Sequence, residues 1–296
     1  PKGNRIVAIG FKQLANIFKL RIGVTIALTA VVGLAITPGP SVPASQIWVL
    51  LLTVLLSSAS AGGFNQYLER DYDGRMERTR NRPFVTGEIK AGIEWPIFLY
   101  SLLFISVSIA AYVINGMAAF YVFLGAFFYA FVYTWWLKRR TWLNIVVGGL
   151  AGSFAVLAGA ATVNPTGLDT FPMIFSVVLF LWTPSHFWSL AIALREDYAR
   201  GNIPMLPVVV GDHNAAWAIF GNSLLLVGAS LLPLFFDLGL GVVYFLGAAV
   251  GGFYFLYKNI VLIRDTNRET AMSSFFASLI QLVLLMVAAV VDVHLV

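Results

Sequence analysis

Nine apolar runs of membrane-spanning length divide this 296-residue chain, and every lysine and arginine falls in alternate gaps between them. The runs centre on residues 22–38, 46–68, 95–114, 117–137, 142–163, 171–194, 214–233, 239–258 and 273–293. A helix crossing the hydrocarbon core needs about 20 mostly apolar residues, and no gap is long enough for a separate soluble domain. The sequence therefore predicts an all-α membrane protein, one domain over 1–296, opened by a basic surface segment at 1–20. Only 11% of residues are charged, against about 25% in soluble domains.

Basic residues favour cytoplasmic connections. Lys2, Arg5, Lys12, Lys19 and Arg21 precede or open the first run; Arg70, Arg75, Arg78, Arg80, Arg82 and Lys90 follow the second. Lys138, Arg139 and Arg140 come next, then Arg195 and Arg200, then Lys258, Arg264 and Arg268, which completes all 19. A wrong span count would scatter them, so the pattern predicts nine helices, the N-terminus cytoplasmic and the C-terminus outside. Of 14 acidic residues, only Asp169, Asp237 and Asp292 fall on the outer side. The net charge of +5 forms no basic face on a soluble fold, so nucleic acid is not an expected partner; the lipid bilayer is. Cysteine is absent, which excludes thiolate metal sites and cysteine nucleophiles. With no Arg- and Ser-rich transit segment, the expected location is a bacterial inner membrane.

Charge inside such a chain needs a reason, and the densest block runs from Asn65 to Pro83. Asn65, Glu69 and Asp73 are four apart, so a helix sets them on one face with about 40° of drift per step. Their oxygens suit a hard cation such as Mg²⁺. Arg75, Arg78, Arg80 and Arg82 follow, and guanidinium forks match phosphate oxygens. Amide, acid and arginine together suggest a metal-held diphosphate. Asp71 lies about 120° off that face.

A second constellation runs from Trp182 to Pro207. His186 and Asp197 lie within about 20° of one helix face but roughly 16 Å apart along it. Ionisable groups inside spans usually face a cavity or a partner; His186 reads as a base, a haem contact or a structural histidine. Pro184 permits a local kink. Glu196 and Asp197 are candidate second-site metal ligands, with Asp197 preferred. Lys138, Arg139 and Arg140, after Trp135 and Trp136, read either as snorkelling residues at an aromatic belt or as diphosphate ligands. Arg21, at the mouth of the first span, admits the same two readings.

The Asn65-x-x-x-Glu69-x-x-x-Asp73 pattern in nine helices resembles the first motif of the UbiA superfamily of intramembrane prenyltransferases. E-R-D-Y-D-G-R-M-E-R-T-R-N-R-P at 69–83, L-K-R-R-T at 137–141 with N-I-V-V-G-G at 144–149, and P-S-H-F-W…E-D-Y-A-R…I-P-M-L-P at 184–207 are similar to its haem O synthase branch. Glu69 stands where the wider superfamily has Asp, and Arg195-Glu196-Asp197 replace a pair of aspartates four apart. Ser185 and Trp142 replace prolines usual in the branch. The resemblance implies a UbiA-type bundle that transfers farnesyl from farnesyl diphosphate to a vinyl group of haem B. It implies Mg²⁺ on Asn65, Glu69, Asp73 and Asp197, with Glu196 beside them, and diphosphate on Arg21, Arg78, Arg82, Lys138, Arg139 and Arg195. It implies an active site on the cytoplasmic side and a haem A synthase as partner. His186 would ligate haem iron, orient the macrocycle or assist water addition. A quinone precursor or chlorophyllide as acceptor, and a membrane transporter or haem-binding protein without catalysis, are the rival readings.

Overall fold

The computed structural model describes residues 10–295; Lys2 and Arg5 of the basic N-terminal segment lie outside them. Among the described residues every regular element is helical. In lipid, a helix satisfies its backbone polar groups internally, and the long apolar runs take that solution.

Among the described residues eight helices are long and apolar enough to cross a membrane: Ala44–Asp73, Glu94–Val113, Gly116–Leu137, Asn144–Val163, Thr170–Ala193, Asp212–Phe235, Val242–Arg264 and Arg268–Leu295. A ninth candidate is a broken one. Phe11–Ile17 and Leu20–Ala35 meet at a 58° bend, where Lys19 takes a left-handed conformation, φ 48° and ψ 43°. Such a backbone is uncommon outside glycine. The bend packs on Gly62, where a Cβ would lie 3.1 Å from the Phe18 carbonyl oxygen. Large apolar side chains such as Trp48, Phe104, Tyr112 and Phe253 face outward, as lipid contact requires.

Helix ends depart from the sequence expectation where polar residues extend them. The second run, expected to stop near 68, continues helically to Asp73, making about 45 Å of helix at 1.5 Å per residue against a hydrocarbon core of about 30 Å. The surplus turns carry the charged block. The Thr170–Ala193 helix continues through Pro184. Residues 128–137 form a π-helix instead of finishing the Gly116–Phe127 α-helix.

Small residues let backbones approach closely inside a bilayer. The Leu20–Ala35 helix lies so near Leu150–Val163 that a Cβ on Gly159 would sit 1.8 Å from the Ala30 carbonyl oxygen. The later helices are filled differently: Phe171, Phe175, Leu226, Tyr244, Phe255 and Leu285 interlock in one apolar core. The earlier half encloses a cavity. The connections after Asp73, after Leu137 and after Ala193 meet at one end of the bundle, as the bonds Lys138–Glu69 and Asp197–Arg78 show.

Candidate active site

A cavity of about 580 Å³ opens at that end. Its lining gathers Lys19, Arg21, Arg78, Arg82, Lys138, Asn65 and Asp73 toward one end; the rest is mostly apolar, with Ile22, Ile26, Val54, Val122, Ala155 and Ala158, and includes Ser57, Ser58 and Thr183. Among the described lining residues five are cationic and one, Asp73, is a carboxylate. That balance favours an anion.

The four-residue spacing does what helical geometry requires. Asn65, Glu69 and Asp73 share the inward face of the Ala44–Asp73 helix and are all but fully buried. Each is met by a cation from another segment. The Asn65 Oδ1 accepts from Lys19 Nζ at 2.5 Å, while its Nδ2 donates to Thr134 Oγ1 at 3.1 Å. Glu69 Oε2 accepts from Lys138 Nζ. Arg139 Nη2 lies 3.0 Å from Glu69 Oε1, an ion pair without hydrogen-bond alignment, and its guanidinium stacks 3.4 Å over the Tyr72 ring. Arg82 Nη1 donates to Asp73 Oδ2 at 2.6 Å. Asp73 Oδ1 is buried and has no hydrogen-bond partner among the described residues. Burial pushes the Lys138 ammonium below its ordinary value, and Glu69 opposes that shift. Buried charge of this kind is costly unless paired, so the acids and cations hold one another in place.

Four contributors were not expected as site residues from the sequence: Lys19, Tyr129, Tyr133 and Thr134. The left-handed residue at the bend carries the Lys19 ammonium inward, where it also donates to Tyr129 Oη at 2.7 Å. The π-helix brings Tyr129, Tyr133 and Lys138 to the same cavity; its wider turn is marked by the Lys138 N–H donating to the Tyr133 carbonyl, five residues back. The Tyr129 and Tyr133 rings stack, centroids 5.7 Å apart. π-Helical turns concentrate at functional sites. A signal existed in Tyr129-x-x-x-Tyr133-x-x-x-x-Lys138, but α-helical periodicity does not align it.

The predicted site residues of the second constellation, His186, Arg195, Glu196 and Asp197, are not among the described cavity lining. Asp197 is buried, and its oxygens accept the backbone N–H groups of Glu77 and Arg78, each at 3.1 Å. Glu196 is exposed, 3.8 Å from Arg200. Arg195 faces Asp212 at 3.5 Å. His186 is sandwiched between Trp182 and Phe275, at centroid distances of 4.2 and 4.3 Å. Its Nδ1 meets Ser278 Oγ at 2.7 Å. That hydroxyl is placed to donate to the Phe275 carbonyl, which leaves its oxygen to accept from a hydrogen on Nδ1. His186 is absent from the described lining, although Thr183 and Phe187 belong to it.

Among the described residues no three His, Cys, Asp or Glu are placed to hold a metal. Mg²⁺ asks less of a protein: it keeps several waters and takes one or two carboxylates plus substrate phosphate. The unpartnered Asp73 Oδ1 fits that requirement; the Asn65 amide oxygen and the Glu69 carboxylate would join it by exchanging their bonds to Lys19, Lys138 or Arg139.

A model of the UbiA prenyltransferase family matches residues 26–280. Protoheme IX farnesyltransferase 2 of Paramagnetospirillum magneticum is 54% identical over 281 residues, covering 95% of this chain and 96% of the relative. Protoheme IX farnesyltransferase of Hahella chejuensis is 34% identical over 286 residues, covering 96% and 94%. A structure of digeranylgeranylglyceryl phosphate synthase superposes with a TM-score of 0.76 at 19% identity, covering 96% of this chain and 99% of that one. A UbiA homolog from Archaeoglobus fulgidus bound to DMAPP and Mg²⁺ gives 0.68 at 15% identity, covering 92% and 99%. The last two are similar in fold alone. Helical architecture, matched residues and relatives agree: the chain is an integral membrane protein that belongs to the UbiA prenyltransferase family.

Proposed function

We propose that this chain transfers a farnesyl group from farnesyl diphosphate to a vinyl group of haem B, yielding haem O and diphosphate. The observation that carries the prenyl half is the cavity itself, cationic where its connections meet and apolar beyond. The haem half is supported by relatives named as protoheme IX farnesyltransferases over nearly their whole length.

The diphosphate sits among Lys19, Arg78, Arg82 and Lys138, with Arg21 beside them. These cations hold the leaving group and take up the charge that grows as the C1–O bond breaks. Asn65, Glu69 and Asp73 are the candidate Mg²⁺ ligands. The metal, when bound, supplies further neutralisation of the departing diphosphate. The apolar walls formed by Ile22, Ile26, Val54 and Val122 receive the isoprenoid chain and keep water from the allylic cation. The stacked faces of Tyr129 and Tyr133 are suited to a cation by their ring quadrupoles. The vinyl π-electrons form the new bond to C1; water adds to the resulting carbocation and loses a proton, leaving the hydroxyl.

The clustering of basic residues supports a cytoplasmic N-terminus, a cytoplasmic-side active site and a bacterial inner-membrane location. The chain acts as one catalytic unit. His186, off the cavity wall, is a candidate for positioning haem from the Thr170–Ala193 helix.

The test is purified protein in lipid nanodiscs with haem B, farnesyl diphosphate and Mg²⁺, read by mass spectrometry. The expected product is haem carrying one farnesyl and one hydroxyl. No such product, or turnover only with a quinone precursor or a chlorophyllide, would overturn the proposal.

A further inference from the structure

We infer that Asp197 is a positioning residue: it latches the turn that carries Arg78 and supplies no ligand to the metal. The inference rests on the diphosphate reading above. Three contacts tie residues 76–78 to the segment 197–205. The first is the fork already described, with Asp197 Oδ1 on the Glu77 N–H and Oδ2 on the Arg78 N–H. The second is Met76, buried in one apolar cluster with Tyr198, Ile203 and Met205. It lies so close to Gly201 that a Cβ there would fall 2.7 Å from Sδ. The third is the Arg78 guanidinium over the Tyr198 ring, 5.4 Å from its centroid.

A carboxylate accepting two backbone N–H groups makes charge-assisted bonds, about twice as strong as neutral ones. Moving it to a metal would take the acceptor from two partly buried amides at once and lose both charge-assisted bonds. Arg200 Nη2, 3.4 Å from Asp197 Oδ1, is a further partner, so neither Asp197 oxygen is open in the way Asp73 Oδ1 is. Asp197 is absent from the described cavity lining, whereas Arg78 and Tyr198, its partners in the clamp, belong to it. Glu196 offers no substitute, since it points to solvent. Thr79 Oγ1 donates to the Asp73 carbonyl oxygen at 2.7 Å, and Arg82 bonds the Asp73 carboxylate. The latched turn therefore reaches the candidate metal ligand through the Thr79 and Arg82 side chains. The second acidic segment sets the position of the diphosphate cations while the first supplies the metal ligands.

Two measurements test this. In Asp197→Asn the Mg²⁺ concentration for half-maximal activity should stay within about twofold of wild type. KM for farnesyl diphosphate should rise about tenfold, with kcat less affected. A Mg²⁺ requirement raised as far as in Asp73→Asn would overturn the latch. The second needs no variant and no turnover: hydrogen exchange of the wild-type protein in nanodiscs, alone and with Mg²⁺ plus farnesyl diphosphate. The amides of Glu77 and Arg78 should be protected in both, and release of that protection on loading would overturn the latch. If farnesyl diphosphate changed no exchange anywhere at the cavity, the diphosphate reading would fail, while protection in the unliganded protein would still report the fork.

Discussion

The two acidic segments hold the same kind of side chain and use it in opposite ways. Asn65, Glu69 and Asp73 project from the last turns of a 30-residue helix. The N–H groups of a helix interior are already committed to its own carbonyls, so their oxygens meet Lys19, Lys138, Arg139 and Arg82 instead. Asp197 sits on a six-residue helix beside a turn whose amides are open, and it takes those. The lesson is that a carboxylate's role follows the backbone state of whatever faces it, not its own motif.

Asp73→Ala should do the most damage. It removes the unpartnered buried oxygen and the anchor of Arg82 together, and kcat/KM should fall about 10³-fold. A loss of less than about tenfold would move the metal elsewhere. Lys138→Met comes next, with an expected loss of about 10²-fold. It also leaves Glu69 with one cation, so thermal stability should drop. Adding Glu69→Gln should recover part of the stability but not the activity, a non-additivity that a double-mutant cycle measures. Third is Asp197→Asn, with its roughly tenfold rise in KM for farnesyl diphosphate at an unchanged Mg²⁺ requirement. Glu196→Gln should be the smallest, leaving rate and Mg²⁺ requirement within about twofold, since surface changes away from a partner network do little. An effect at Glu196 as large as at Asp73 would erase the contrast between the segments.

The helices were legible because lipid admits few alternatives: a long apolar run must be helical, and cations must leave the bilayer. The inward face of Asn65, Glu69 and Asp73 was legible because a continuous α-helix has one period. What escaped lay where that period breaks. Lys19 reads as a surface cation until its own left-handed backbone turns it inward. Tyr129 and Tyr133 read as ordinary aromatic span residues until the π-helix aligns them with Lys138. The partners of Asp197 lie 119 and 120 residues away, and helical spacing around Asp197 carries no trace of them. His186 reads as an ionisable group seeking a cavity, yet Trp182, Phe275 and Ser278 enclose it.

The measurement that bears most directly on the account is a structure in nanodiscs with Mn²⁺ in place of Mg²⁺ and a non-reacting farnesyl diphosphate analogue. The account predicts the diphosphate among Arg78, Arg82, Lys138 and Lys19, and the metal on the face of Asn65, Glu69 and Asp73. Asp197 would still hold the amides of Glu77 and Arg78. A metal bound by Asp197 with those amides released, or a diphosphate outside the cation-lined end of the cavity, would contradict it.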